Sequence, residues 1–177
     1  MPTLIRRADL DHEANEIADL LVDYMTTALQ QLQDIFGITD SPTDVASLRD
    51  SVREYRDPSK ALFVVQHDDR LVGLAGLRTL EPGVVEVKRM YVDPGHRGHR
   101  FGAGLLEVLL EEAPAMGAAT VRLDTARFMA DAQRLYRSRG FEERDPYPGT
   151  EIPPHLQKYW IFFEKQLSGL PLTSRCR

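Results

Sequence analysis

Between positions 88 and 100 four cations, Lys88, Arg89, Arg97 and Arg100, stand against one anion, Asp93, a formal +3 inside a chain of net charge −5. The stretch Val92-Asp93-Pro94-Gly95-His96-Arg97-Gly98-His99-Arg100-Phe101-Gly102 passes from an alternating apolar segment, through small turn-forming residues, into an apolar helical pattern. Such a strand-to-helix junction is an anion socket, because the first N–H groups of a helix have no intrahelical acceptor and the helix dipole is positive there. Arg97, Gly98, His99, Arg100, Phe101 and Gly102 are expected to supply those groups. Gly98 and Gly102 lack a Cβ and are expected to let a bulky diphosphate come close to the main chain. His96 and His99 lie in the turn without clustered carboxylates, which suits neighbours of a phosphate better than a metal pair. No metal is expected.

Composition narrows the partners. The 177 residues are 42% apolar and 28% charged, ordinary for one compact domain with a substantial core. A single domain over 1–167 with a flexible tail over 168–177 is expected. The net negative charge argues against extended nucleic-acid binding. No apolar run approaches the roughly 20 residues that span a bilayer, and the first residues lack a signal-peptide pattern. No membrane partner and a cytoplasmic location follow as expectations. Cys176 is the only cysteine, so an intrachain disulfide and a multi-cysteine zinc site are both excluded.

The elements that must hold the socket read as follows. A short strand over 3–7 precedes a helix in which Ile17, Leu20, Leu21, Tyr24, Met25 and Leu29 recur at helical spacing. Asp9 or Asp11 is its expected cap, and Gly37 its end. Ser41-Pro42-Thr43 is expected to open a second helix through Leu48, Val52 and Tyr55, closed by Arg56-Asp57-Pro58. Strands over 61–66, 71–80 and 84–92 are joined by the turns His67-Asp68-Asp69-Arg70 and Glu81-Pro82-Gly83. After the socket a helix containing Phe101, Leu105, Leu106, Val108, Leu109 and Ala113 leads to a strand over 120–125, which a helical crossover should place parallel to 84–92. A helix over about 129–139 ends at Gly140, and strands over 141–144 and 159–166 flank a proline-rich loop over 145–156.

This order resembles the GNAT superfamily of acyl-CoA-dependent N-acetyltransferases, from about Val64 to Lys165. Two motifs carry the likeness. Arg97-Gly98-His99-Arg100-Phe101-Gly102 is similar to the family's coenzyme A loop, and Leu135-Tyr136-Arg137-Ser138-Arg139-Gly140-Phe141 is similar to its Tyr-x-x-x-Gly-Phe helix end. The resemblance implies an α/β (α+β) fold: a mixed, mostly antiparallel central sheet of about 6–7 strands, helices on both faces, and a splayed parallel strand pair. It implies acetyl-CoA as cosubstrate, its pantetheine arm pairing with the main chain of Met90, Tyr91 and Val92. Two positions depart from the family pattern. Arg100 stands where glycine is usual, a change the backbone should tolerate if the helix has already begun there. Met129 stands where the family often has Asn, so whatever that amide holds must be held otherwise.

Acetyl transfer to an amine needs an uncharged amine, a polarised carbonyl and a proton for the departing thiolate. An alkyl amine of pKa about 10.4 is almost wholly protonated near neutrality, so a base is required. The resemblance implies that Glu86 is this base, directly or through water, on the strand face it shares with Lys88 and Met90, and that Tyr136 is the general acid. The N–H near Met90 is the implied partner of the thioester carbonyl. Burial would raise the affinity of Glu86 for a proton and Lys88 would lower it. Glu86 also reads as a plain strand carboxylate paired with Lys88, and Tyr136 as a core aromatic. Asp124, Tyr147, Glu151 and His155 are candidates for lining an acceptor pocket. The 145–156 loop equally suits a homodimer contact or a solvent loop stiffened by prolines, and Asp124 a cap.

The resulting expectation is an acetyl-CoA-dependent N-acetyltransferase acting on a primary amine of a small molecule or peptide, by direct attack in a ternary complex. The charge of Glu86, Asp124 and Glu151 favours a cationic acceptor. The alternatives are a non-catalytic coenzyme A sensor on the same fold, and a dinucleotide-binding oxidoreductase. Asp124, about 20 residues past the glycines, suits the latter, but Gly98, Gly102 and Gly104 lack the Gly-x-Gly-x-x-Gly spacing.

Overall fold

The computed structural model describes residues 3–39 and 45–168. Seven strands form one sheet in the order β1-β2-β3-β4-β5-β7-β6. They are β1 (Thr3–Arg7), β2 (Lys60–His67), β3 (Arg70–Glu81), β4 (Val84–Val92), β5 (Thr120–Ala126), β6 (Glu142–Arg144) and β7 (Trp160–Gln166). All pairs are antiparallel except β4 with β5. That single parallel pair is the expected crossover, and the antiparallel remainder removes the doubly wound sheet that a dinucleotide-binding oxidoreductase needs.

The sheet is covered on both faces. Helix α1 (Ala14–Phe36) and helix α2 (Val45–Arg53) bury Ile17, Leu20, Leu21, Leu48 and Val52 against Val64, Leu74 and Tyr91. On the other face α3 (Phe101–Glu112) and α4 (Ala130–Ser138) bury Phe101, Leu105, Leu106, Leu109 and Tyr136 against Val85, Val87, Val121, Leu123 and Phe163. Alternation along β4 and β5 thus sends valines and leucines to the α3 side. Glu86, Arg122 and Asp124 fall on the α1 side.

One detail of the helix ends differs from expectation. The cap of α1 is Glu13, whereas Asp9 accepts the amides of Asp11 and His12 and shapes the turn before it. Gly37 closes α1 in the left-handed conformation, φ 68°, as its position suggested. The expected helix start at 41–43 and the tail beyond Ser168, Cys176 included, lie outside the described residues. No described helix is long and apolar enough to cross a membrane.

Candidate active site

Strands β4 and β5 pair only from Val84 to Glu86 and from Thr120 to Arg122. Beyond that point they part, so the edge of β4 facing β5 carries no sheet partner from Val87 onward, while its other edge still pairs Tyr91 with Leu74 and Val92 with Gly73. A cleft of about 330 Å³ occupies the opening, lined among others by Tyr24, Met90, Tyr91, Arg97, Met129 and Ala132. It offers the unpaired main chain of Met90, Tyr91 and Val92 to an extended ligand, and its mouth lies at Arg97.

The turn at that mouth is organised by Asp93. Its carboxylate accepts the Gly95 amide at 3.0 Å and pairs with His96 Nδ1 at 3.1 Å, and these hydrogen bonds, the Gly95 amide first, hold its pKa below the ordinary carboxylate value despite partial burial. Arg97 N–H is spent on Pro94 O at 3.4 Å, so the socket begins one residue later than expected. Gly98 adopts φ 88°, a conformation that favours glycine, and Gly104 is the first helix residue whose N–H reaches a backbone acceptor, Arg100 O, at 3.0 Å.

Arg100 corrects a sequence expectation. It lies outside the helix, at the cap position, with φ 62° and ψ 17°. A non-glycine residue there costs roughly 1–2 kcal/mol, which is why glycine is the common choice. At Gly102 a Cβ would meet Met90 Cε at 3.6 Å and Leu135 Cδ2 at 3.8 Å, ordinary van der Waals contacts, so packing against β4 and α4 does not by itself demand glycine there. His99 stacks on Phe101, their ring centroids 5.3 Å apart.

A bulge reorders the middle of β4. Leu74 pairs with Tyr91 but Gly76 with Lys88, so β4 carries one extra residue, and Arg89 absorbs it at φ 59°. Every side chain after Arg89 therefore changes face. Met90 joins the α3 side, where Tyr136 directs its hydroxyl to the Met90 sulfur at 3.9 Å, and Tyr91 turns to the α1 side against Tyr24 at 5.1 Å between centroids. The expected shared face of Glu86, Lys88 and Met90 is thereby broken.

Glu86 has no accessible surface. Arg78 Nε donates to one of its oxygens at 2.6 Å and Tyr147 OH to the other at 2.8 Å, with Lys88 Nζ at 3.9 Å. Lys88 and Arg78 also reach Glu151, at 3.0 and 3.3 Å. Burial would raise the Glu151 carboxyl, but Lys88 and Arg78 outweigh it and set its pKa below the ordinary value. Tyr147, expected as an acceptor-lining residue, is only 2% exposed; its ring lies against Phe162 and beneath Arg122 and Arg144, and burial pushes its phenol strongly up. It pins the 145–156 loop to the sheet and presents no surface to a ligand. His155 stays on the exposed side of that loop.

Asp124 is the carboxylate left over. It stands on β5 two residues past the last β4 pairing, partly exposed, and its Oδ2 is buried without a hydrogen-bond partner. Burial raises its pKa to about 6; Lys88 opposes the rise, and Glu86 and Glu151 reinforce it. Tyr136, only 5% exposed, is pushed up mainly by burial and also by the charge of Asp124, so its phenol stays protonated throughout the working range. Tyr24 and Met90 line the opening, and the charge of Asp124, which stands behind that lining, acts on both Tyr24 and Tyr136.

Gln133 is a residue the sequence did not flag. Its amide donates to Ala126 O at 3.2 Å and Arg127 O at 2.9 Å, tying the end of β5 to α4. Met129, at the α4 cap, makes no capping bond and instead accepts from Thr125 Oγ1 at 3.4 Å through sulfur. Gln133 thus supplies an amide at the end of β5 where Met129 has none. Gln133 shares the buried face of α4 with Tyr136, three residues on, and becomes recognisable only once the helix's orientation is known.

Residues 17–141 match the model of the acetyltransferase (GNAT) family. The chain is 28% identical over 153 residues to an uncharacterized N-acetyltransferase of Schizosaccharomyces pombe, covering 85% of this chain and 93% of the relative. It is 36% identical over 111 residues to the IAA acetyltransferase of Azospirillum brasilense, covering 62% of this chain and 70% of the relative. Among solved structures, a GNAT-family acetyltransferase from Staphylococcus aureus superposes with a TM-score of 0.72 at 19% identity, covering 94% of this chain and 100% of that one. The yncA protein of Salmonella typhimurium, solved with acetyl-CoA, superposes with a TM-score of 0.69 at 19% identity, covering 99% and 100%. At these identities the solved structures speak to the fold alone.

Proposed function

Because the chain belongs to the GNAT acetyltransferase family, we propose that it transfers the acetyl group of acetyl-CoA to a primary amine by direct attack within a ternary complex. The observation that carries this reading is the parting of β4 and β5 beyond Glu86, with a cleft of about 330 Å³ running from that gap to Arg97. Acetyl-CoA, when bound, supplies the activated acetyl thioester.

The protein's own groups then have distinct tasks. Amides after Gly98, with Arg97 and Arg100, hold the diphosphate, each charge-assisted hydrogen bond contributing about 1.5–3 kcal/mol. The unpaired main chain of Met90, Tyr91 and Val92 holds the extended arm. Tyr136 keeps its proton at all working pH values, and its hydroxyl, held only weakly by the Met90 sulfur at 3.9 Å, is free to donate to a departing thiolate.

The amine proton goes to Asp124 in this reading, not to Glu86. Both Glu86 oxygens are occupied by Arg78 and Tyr147, whereas Asp124 has a free oxygen beside the opening and a pKa near the operating range. Glu86 positions Arg78 and Tyr147. Calorimetry with acetyl-CoA, followed by thiol release over a panel of amines, tests the proposal. Binding heat and amine-dependent thiol release are expected; folded protein giving no heat with acetyl-CoA would overturn it, and binding without turnover on any amine would leave the coenzyme A sensor as the better reading.

A further inference from the structure

Beside the residues that line the cleft, though not among them, stand three cations, Arg78, Lys88 and Arg89, and three carboxylates, Glu86, Asp124 and Glu151. Four of these six are mutually committed: Arg78 to Glu86 and Glu151, and Lys88 to Glu151 with Glu86 beyond. Two polar atoms of the remaining pair have no partner. Arg89 Nη1 and Asp124 Oδ2 are both buried and unbonded. Buried polar groups are seldom left so, and an orphaned guanidinium nitrogen and an orphaned carboxylate oxygen at one site call for a ligand that brings an acceptor to the first and a donor to the second.

The two residues face the same surroundings. The Tyr24 hydroxyl feels both charges, Asp124 raising its pKa and Arg89 lowering it, although burial is the larger influence. Arg89 acts likewise on Tyr55 and on Glu151. Its charge therefore reaches Tyr24 of α1, Tyr55 and Glu151 of the 145–156 loop. The bulge supports a ligand-facing role: Arg89 is held at φ 59°, a conformation costly for a non-glycine residue, at one of the two points where the β3–β4 register shifts. Bulges of this kind re-aim side chains beside active sites, and retained strain accompanies function.

We propose that the acceptor is a small amino acid, whose carboxylate is read by Arg89 and whose ammonium is received by Asp124. This rests on the acetyltransferase reading above and narrows its substrate class. Arginine presents a planar fork that suits a carboxylate. The balance of three cations against three anions fits a zwitterion, whereas a simple cationic amine would leave Arg89 desolvated and unpaired. This departs from the cationic acceptor expected from the acidic residues alone, because Glu86 and Glu151 are already neutralised. In the reaction the ammonium passes one proton to Asp124, the freed amine nitrogen forms its bond to the acetyl carbon, the carbon–sulfur bond breaks, Tyr136 gives its proton to the departing thiolate, and the second proton that nitrogen sheds as the amide forms returns to Tyr136.

The test compares glycine, β-alanine, γ-aminobutyrate and larger amino acids with amines of matched length that lack the carboxylate. Calorimetric titration of each into the protein saturated with coenzyme A gives a readout independent of turnover. At least one amino acid is expected to bind and react about tenfold or more better than its matched amine, and R89Q to abolish that preference while R89K restores it in part. An amine preferred over every amino acid, a peptide N-terminus preferred over every free amino acid, or a preference that survives R89Q in folded protein would overturn the proposal. If R89Q does not fold, the panel on the natural protein decides alone. Saturable coenzyme A binding in the same cells separates this failure from failure of the acetyltransferase reading.

Discussion

Replacing Asp124 with asparagine should weaken catalysis and strengthen the fold, two effects of one buried charge. The Asp124 carboxyl is raised from 3.8 to about 6, chiefly by burial against the opposing pull of Lys88. A rise of about two units corresponds to roughly 3 kcal/mol by which ionisation in the folded protein is disfavoured. The native state binds the extra proton between the two values, so stability falls as pH rises through that window and the full cost is present above about 6. At about pH 8 the variant avoids the cost, and at about pH 5 only about half of it is there to avoid. The amide must still be accommodated beside Lys88, which loses a counter-charge, so a net gain of about 1–2 kcal/mol is expected at the higher pH. Urea unfolding at both pH values measures this. The natural protein's kcat/KM should climb with pH through about 6, and the variant should lose that limb along with about a hundredfold or more of its rate. A stability difference independent of pH, together with an unchanged acid limb, would refute both the assignment of Asp124 and the burial argument behind it.

Three further outcomes are expected. E86Q leaves Arg78 and Lys88 without a buried counter-charge and should cost about 2–4 kcal/mol in urea unfolding, while the acid limb stays where it is, because Glu86 positions rather than accepts; a shifted limb would return the base to Glu86. R100G relieves a left-handed arginine but adds glycine's freedom to the unfolded chain, a net gain of about 0.5–1 kcal/mol. The same change should weaken acetyl-CoA binding about tenfold by calorimetry, through loss of one charge-assisted contact. Y136F should leave the melting temperature nearly unchanged, since among the described residues its hydroxyl has one weak partner, the Met90 sulfur at 3.9 Å, yet lower kcat by about a hundredfold; full turnover at every pH would remove Tyr136 from the chemistry.

Much of this protein is legible in the order of its residues, and for local reasons. Val84–Val92 alternates and is bounded by turn residues, so the strand is found at both ends. Gly37 and Gly140 mark helix ends because positive φ is cheap only for glycine. The cation-rich turn after Asp93 and the crossover that makes β5 parallel to β4 follow from spacing and chain handedness. The sequence therefore determined the elements and the cation-rich turn at which we propose the phosphates rest.

The division of labour among the carboxylates needed the tertiary structure. One extra residue at Arg89 reverses the face of everything after it on β4, and no periodicity announces which residue a bulge will take. Glu86 and Asp124 look alike in sequence, two acids on neighbouring strands. One is sealed by Arg78, from β3, and Tyr147, from a loop 61 residues away, while the other keeps a free oxygen where the strands part. Gln133 could be recognised only once its helix had turned that amide toward the end of β5. Which charge is neutralised and which remains available depends on partners distant in the chain, and desolvation and pairing act through space rather than along the backbone.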